Sequence, residues 1–391
     1  MLAKAIEGQS VADVPIGALL SGGIDSSTIV ALYQKYSRGP VRTYSIGFEE
    51  KGFDEAGHAR AVAGHLGTDH HEHYVTVKEA RDVIPLLPVI YDEPFADSSQ
   101  IPAYLVSRHA REQVKVAITG DGGDELFGGY NRHRFIPRLW RGLTYVPRPL
   151  RRMTMGWAGR LPPEFWGGVA NLLRPGDRPF LGSKIRKGIR AAQSAASFEQ
   201  FYPAFLDEWE QSPVAGAEDG HPLDLQLAPD VPLATRIMYS DAISYLPDDI
   251  LCKVDRASMA VGLETRVPFL DHRVAALAAR IPIGLKIKGG RGKHILRDLL
   301  YREVPRGLFD RPKAGFAIPV GSWLRGELKP WAEELLDPAR MAEEGWFDPA
   351  IVRRRWRDHV EGRTDSTAAL WAILMFQAWL REQRRPVALA A

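Results

Sequence analysis

Short apolar runs alternate with helix-spaced patterns through the first 130 or so residues. Val14-Pro-Ile-Gly-Ala-Leu-Leu20 reads as a buried strand, and Ser26 to Tyr36 as a helix with Ile29, Val30, Leu32 and Tyr33 on its apolar side. Arg42-Thr-Tyr-Ser-Ile-Gly-Phe48 predicts a second strand. Asp54 to Leu66 predicts a helix opened by an acidic residue, which suits a helix N-terminus. His71 to Val77 alternates as a strand does, Glu79 to Tyr91 and Ser98 to Arg111 read as helices, and Val114-Lys-Val-Ala-Ile-Thr119 is a fourth strand. Strands separated by helices imply βαβ units, a parallel sheet and right-handed crossovers, hence a doubly wound α/β fold. From about Ile136 strand signals fade, Pro, Trp and Arg become frequent, and helical patterns continue to the end. Ala215 to Val231 looks like an exposed loop, and Thr367 to Arg384 a strongly apolar helix that must dock on something. The expected division is an α/β domain over 1–135 and a largely helical region over 136–391.

Composition narrows the class. Of 391 residues, 45% are hydrophobic and 25% charged, which excludes disordered, collagenous and coiled-coil chains. No run approaches the ~20 apolar residues of a membrane span, and the first residues interleave acid and base with no signal-peptide core. The lone cysteine, Cys252, excludes a disulfide framework within the chain. A net charge of +3 from 51 basic and 48 acidic residues is too even to predict nucleic-acid binding, and the local excess at Arg148-Pro-Leu-Arg-Arg152 is read as a solvated loop. The expectation is a cytoplasmic protein with neither nucleic-acid nor membrane partners.

Two loops carry the candidate chemistry. Ser21-Gly-Gly-Ile-Asp-Ser-Ser27 follows the first strand and opens a helix. Glycines bring backbone N–H groups close to an anion, the helix terminus adds partial positive charge, and three serines add donors, which together make a phosphate cradle. Neither a P-loop lysine nor a dinucleotide-type glycine pattern is present. Asp25 inside such a cradle repels phosphate unless a divalent cation bridges them, so Mg²⁺ is expected there; the plainer reading is a helix-capping acid. After the fourth strand, Thr119-Gly-Asp-Gly-Gly-Asp-Glu-Leu-Phe-Gly-Gly-Tyr130 crowds Asp121, Asp124 and Glu125, whose repulsion needs a metal, a lysine or a proton. Ligands of open α/β sheets bind beyond the carboxyl ends of strands, where both loops lie.

The first loop resembles the pyrophosphate loop of ATP-pyrophosphatases of the adenine nucleotide alpha hydrolase-like, Rossmann-like type. The ordered set is similar to the synthetase domain of the glutamine-hydrolysing asparagine synthetase family. That set is Asp13-Val-Pro-Ile-Gly17, Ser21–Ser27, Tyr44-Ser-Ile-Gly-Phe48, Tyr91-Asp-Glu-Pro-Phe-Ala-Asp-Ser-Ser99, Thr119–Tyr130, Lys253-Val-Asp-Arg-Ala-Ser-Met-Ala260, Gly262-Leu-Glu-Thr-Arg-Val-Pro-Phe-Leu-Asp271 and Arg311-Pro-Lys-Ala-Gly-Phe316. The resemblance implies that adenine and ribose lie along the backbone near Leu20 and Ile46, with Thr119 and Gly120 alongside. It implies that Ser21, Gly22, Gly23, Asp25, Ser26 and Ser27 hold pyrophosphate, and that Asp25 with Asp124 holds Mg²⁺. Asp121 stands where the best-known members carry glutamate, one methylene longer, a residue tied to acyl-adenylate formation and to proton handling. Lys313 matches a lysine that neutralises charge as pyrophosphate leaves. Lys253, Asp255, Arg256, Glu264 and Arg266 are expected to form an ion-pair network shaping the substrate pocket, with Glu264 counted among the catalytic candidates. His71 and His73 share a strand face that could chelate a metal, but a solvated strand start is the favoured reading.

The activity implied is a carbon–nitrogen ligase that makes asparagine from aspartate, ammonia and ATP through a β-aspartyl-AMP intermediate, releasing AMP and pyrophosphate. Full-length relatives begin with a glutaminase domain whose nucleophile is an N-terminal cysteine. Residue 2 here is leucine, so ammonia is expected from solution or from a separate or missing glutaminase. Two alternatives stay open: a related amide-forming cyclase of the β-lactam synthetase or lasso-peptide type, and an inactive fragment serving as a binding module. The oligomeric state is open as well, a homodimer included.

Overall fold

The computed structural model describes residues 1–48, 56–173, 180–217, 228, 230–309 and 318–384. The chain divides into two compact units, each assembled from separated stretches: Met1–Arg134, Leu227–Ile318 and Trp379–Ala391 in the first, Phe135–Gln226 and Pro319–Ala378 in the second. Residues 136–391, read from sequence as one region, are thus shared between the two.

The first unit contains a wholly parallel sheet of five strands among the described residues: β1 (Ile16–Leu19), β2 (Arg42–Phe48), β3 (Asp69–Val75), β4 (Val116–Ile118) and β5 (Glu264–Arg266). Their order is β3-β2-β1-β4-β5. The α/β expectation with a parallel sheet is met. Central strands of such a sheet are covered on both faces and need continuous apolar runs, and Ala18, Val116, Ala117 and Ile118 are all buried. β2 buries every residue after Arg42, with Thr43 and Ser45 hydrogen-bonding to His70 on β3. The helices Ile24–Tyr36 and Ala56–Leu66 carry the chain between the first three strands, and Ile29, Val30, Ala59 and Val62 join Ile118 and Phe269 in one core.

Two elements differ from expectation. The helix expected over 79–91 is broken into Val77–Asp82, a 3₁₀ turn at Ile84–Leu86, and Leu87–Tyr91. Pro85 and Pro88 lack the N–H that a continuous helix requires, and the first piece starts instead on a reciprocal cap between Thr76 and Glu79. β5 is a strand where no strand signal stood: Glu-Thr-Arg has no apolar alternation, and its conformation comes from pairing with β4. Asp54, expected to open the second helix, lies outside the described residues.

β1 connects to β2 on one side and lies beside β4 on the other, so the direction of winding reverses between β1 and β4. That gap is where such sheets bind ligands. The second unit is mainly helical, including Arg148–Ala158, Leu181–Ser194, Phe198–Leu206 and Pro349–Val360, with Leu324, Leu335, Trp356, Leu370 and Trp371 in its interior. Among the described residues, no helix is long and apolar enough to cross a membrane.

Candidate active site

β1 ends into Ser21–Ser27 and β4 into Thr119–Tyr130, so the two loops leave adjacent strands at the winding reversal. Leu20 N–H donates to Tyr44 C=O at 2.9 Å and Thr119 N–H to Arg266 C=O at 2.8 Å, which fixes where each loop begins. Within the first loop, Ser21 N–H donates to Ser26 Oγ at 3.2 Å, and the two serine hydroxyls lie 3.0 Å apart. Gly23 stands at the start of the helix Ile24–Tyr36 and offers no side-chain cap, leaving the dipole end to the loop. The loops touch through missing side chains: a Cβ on Gly120 would lie 2.7 Å from Ser26 N, and one on Gly123 would lie 2.6 Å from the Asp25 carboxylate. Any larger residue at either position would force the loops apart.

The centre of the site is a lysine that no sequence motif assigned. Lys293 Nζ pairs with Asp25 Oδ2 and lies 2.6 Å from Asp124 Oδ1, bridging the two carboxylates read as metal ligands. Burial alone would lower its pKa, but the two carboxylates outweigh burial and hold the ammonium above its ordinary value. Its backbone is left-handed, with φ at +58°, rare for a residue bearing a side chain. Lys293 N–H donates to Phe127 C=O at 3.0 Å, and the helix His294–Leu300 begins directly after it. Gly129 makes room, since a Cβ there would overlap both the Asp124 carboxylate and the lysine stem. The ammonium supplies the compensation that the sequence argument gave to a divalent cation. The paired carboxylates nonetheless suit Mg²⁺, a hard ion usually held by one or two carboxylates together with substrate phosphates.

Asp121 is half-buried beside this centre. Burial pushes its carboxyl above the usual range and Asp124 adds to that, while Thr119 and Lys253 pull the other way. Glu125 is buried, accepts from Tyr130 OH at 2.6 Å, and is pushed up to about 7, chiefly by burial. Arg132 lies over the Tyr130 and Tyr245 rings at 4.3 and 4.6 Å and pairs with Asp241 at 2.9 Å.

Lys253 pairs with acids the sequence had not singled out, and not with Asp255, Arg256, Glu264 or Arg266, the residues expected to join it in one network. Its Nζ lies 2.5 Å from Asp97 and 3.6 Å from Asp249, while Tyr91 OH donates to its carbonyl at 3.2 Å. Asp249 sits in a π-helical turn, Leu246–Leu251, and burial with the neighbouring Asp97 charge pushes its carboxyl up to about 7. The folded chain therefore holds this proton more tightly than the unfolded chain, and the cost of ionising Asp249 grows from about pH 4 to about pH 7. Asp249→Asn is expected to raise the thermal midpoint, and to raise it more at about pH 8 than at about pH 5. Midpoints shifted equally at both pH values would show that the gain does not come from the carboxylate.

Leu20 and Ile46 are buried beside the first loop, Leu20 directly before it and Ile46 on β2. Glu264 is not brought to the loops. It is exposed, lies two positions before the carboxyl end of β5, and pairs with Arg266 at 2.7 Å. Arg266 in turn donates to the carbonyls of Gln9 and Val11. Lys313 lies outside the described residues. His71 stacks on Tyr44 and lies 3.2 Å from Asp69, whereas His73 reaches Glu79 at 3.2 Å, so the two rings go to different acids. Among the described residues no group of three His, Cys, Asp or Glu side chains could hold a metal. One sequence signal could have flagged Lys293: Gly289-Gly-Arg-Gly-Lys293, a glycine run ending on a lysine at a helix start.

Comparison with known proteins gives the family. A family model described as asparagine synthase matches residues 1–381. The chain is 37% identical over 369 residues to a putative glutamine-hydrolysing asparagine synthetase of Mycobacterium tuberculosis, covering 94% of this chain and 54% of that protein. It is 32% identical over 368 residues to glutamine-hydrolysing asparagine synthetase 1 of Bacillus subtilis, covering 94% and 56%. With the glutamine-hydrolysing asparagine synthetase of Bos taurus it shares 25% over 399 residues. The chain thus spans about half the length of these relatives. Because the family match runs through the sheet, both loops and the helices that follow, the chain belongs to the asparagine synthase family.

Proposed function

We propose that this chain activates the side-chain carboxylate of aspartate with ATP and transfers the acyl group to ammonia, forming asparagine, AMP and pyrophosphate. The observation that carries the reading is the convergence of the Ser21–Ser27 cradle with Asp25, Asp124 and Lys293 at the winding reversal of a parallel sheet. In the first step the carboxylate oxygen attacks the α-phosphorus, and the bond to the departing pyrophosphate breaks. Ser21, Gly22, Gly23, Ser26 and Ser27 hold that pyrophosphate through N–H and hydroxyl donors at the helix terminus. Lys293 sits where its charge opposes the negative charge that grows on the leaving group, an effect larger in the transition state than in the ground state. Asp25 and Asp124 would hold Mg²⁺, which when bound supplies further neutralisation of the phosphates. Thr119 and Gly120, with the backbone at Leu20 and Ile46, border the nucleoside. Lys313 adds a second cation in this reading.

In the second step ammonia attacks the acyl carbon, AMP leaves, and a proton must depart from nitrogen. Asp121 is the assigned acceptor: a carboxyl raised above its usual range is a better base near neutral pH than an ordinary one. Asp121→Asn is expected to spare ATP–pyrophosphate exchange more than amide formation, and to cost amide formation ~10²-fold or more. Asp121→Glu, which keeps an ionisable group, should retain more of it. Equal rates for Asn and the natural residue in both half-reactions would assign Asp121 to turn geometry alone.

The whole reading is tested by incubating the chain with ATP, Mg²⁺, aspartate and concentrated ammonium. AMP, pyrophosphate and asparagine are expected in equal amounts. ADP with inorganic phosphate as the stoichiometric products would overturn it, and a panel of other carboxylates reads out the acceptor.

A further inference from the structure

Lys293 stands between Asp25 and Asp124 in a backbone conformation that a lysine rarely adopts, with φ at +58°. Such a conformation persists only where the surroundings over-determine it. On the carboxyl side the helix His294–Leu300 follows at once, and Arg297 N–H closes on Lys293 C=O at 2.8 Å. On the amino side lies a two-residue hairpin turn. Lys288 and Arg291 exchange both backbone hydrogen bonds, at 3.0 and 2.9 Å, around Gly289 and Gly290, whose φ values are +57° and +75°. Two consecutive left-handed residues make this the primed kind of hairpin turn, which glycine takes without strain. Gly292 then lies against the end of the second loop, since a Cβ there would come 2.1 Å from Gly128 C=O.

A hairpin this short is marginal in water by itself, so its position depends on what anchors it. Arg134, on the helix Asn131–Thr144 that leaves the second loop, provides an anchor at the tip. Its Nη1 donates to Gly290 C=O at 2.5 Å, and its Nη2 donates to Asn131 Oδ1, one turn earlier on the same helix. Asn131 thereby orients the guanidinium, and a charged donor makes a stronger bond to a carbonyl than a neutral one does. The segment that carries Asp124 therefore continues directly into the helix that grips the turn leading to Lys293.

We propose that Arg134 is a positioning residue for Lys293: by clamping the Lys288–Arg291 turn it holds the ammonium between Asp25 and Asp124. Without the clamp the turn is free to shift, and Lys293 can relax to an ordinary φ that carries its side chain away from the two carboxylates. The effect on the reaction rests on the ligase reading above, whereas the effect on the placement of the lysine does not.

The test reads the lysine directly. Acetylation of the full chain with a succinimidyl ester, followed residue by residue by mass spectrometry, gives the rate at Lys293 relative to Lys78, whose side chain is 79% exposed. Arg134→Met should raise that relative rate about tenfold or more, as for the loss of a hydrogen bond to a charged group. Arg134→Lys, which keeps one donor for Gly290 C=O, should restore part of the protection. Asn131→Ala, at an exposed position, should move the rate in the same direction by about threefold. Lys253, buried against Asp97, should keep its rate in every variant. ATP–pyrophosphate exchange should fall about tenfold in Arg134→Met, yet fall no further when the change is added to Lys293→Met, because a clamp acting through the lysine has nothing left to place. Three outcomes each overturn the proposal: an unchanged Lys293 rate in Arg134→Met and Asn131→Ala alike, a Lys253 rate that rises in step with that of Lys293, or an equal loss of exchange in both backgrounds. A natural chain without exchange would instead sink the ligase reading, and the labelling rates would still decide the clamp.

Discussion

Lys293→Met is expected to lower the rate of ATP–pyrophosphate exchange by ~10²–10³-fold, as for other preorganised charges removed from a transition state. The change also leaves Asp25 and Asp124 facing one another without the cation that now lies between them. Removing one partner of a buried pair costs on the order of 3–5 kcal/mol, so a fall in thermal midpoint accompanies the loss. In the variant that also carries Asp124→Asn the repulsion is relieved and stability should recover, which assigns the fall in midpoint to the uncompensated carboxylates. Lys293→Arg is a poor rescue, because a planar fork does not fit a channel kept open by Gly129, where even a Cβ would collide. Exchange by Lys293→Met within threefold of the natural chain, about 0.65 kcal/mol, would remove the lysine from the chemistry.

Asp25→Asn comes next in size. The substitution keeps shape and keeps the contact with Gly123, so the loops stay together, but it deletes one of the two charges that Lys293 balances. The expected loss in pyrophosphate release is on the order of a hundredfold. Because Asp25 is also assigned to Mg²⁺, the half-saturating Mg²⁺ concentration should rise in the same variant. A near-native rate with unchanged Mg²⁺ dependence would reduce Asp25 to an acid that merely suits a helix start.

The first four strands and the two loops were legible because their determinants are local. Arg42–Phe48 is a strand with the bounds its apolar run predicts, and the glycine–acid turns announce sharp reversals beside strand ends. What was not legible depends on distant partners. Lys293 acquires meaning only beside Asp25, 268 residues earlier, and its own surroundings read as an ordinary glycine-rich loop. Asp97 lay inside a quoted motif, yet nothing local shows that Lys253 reaches it. Glu264 was picked for its neighbours in sequence, and it does meet one of them, Arg266, on the same strand face, but at a distance from the two loops that the sequence could not show. The helices after residue 135 carry strong periodicity, but periodicity says which face is buried and not which unit buries it.

The origin of β5 and Lys293 far along the chain has a consequence for synthesis. A nascent chain that has exposed only Asp25 and Asp124 already holds both glycine loops, yet β4 is still an open edge and the two carboxylates have no cation. At 5–20 residues per second, the interval from Asp124 to Lys293 lasts roughly ten to thirty seconds. During that interval β4 can pair with any other extended strand. Slow translation or early release should therefore favour aggregation through β4, and nucleotide should give no protection until the segment bearing Lys293 has emerged.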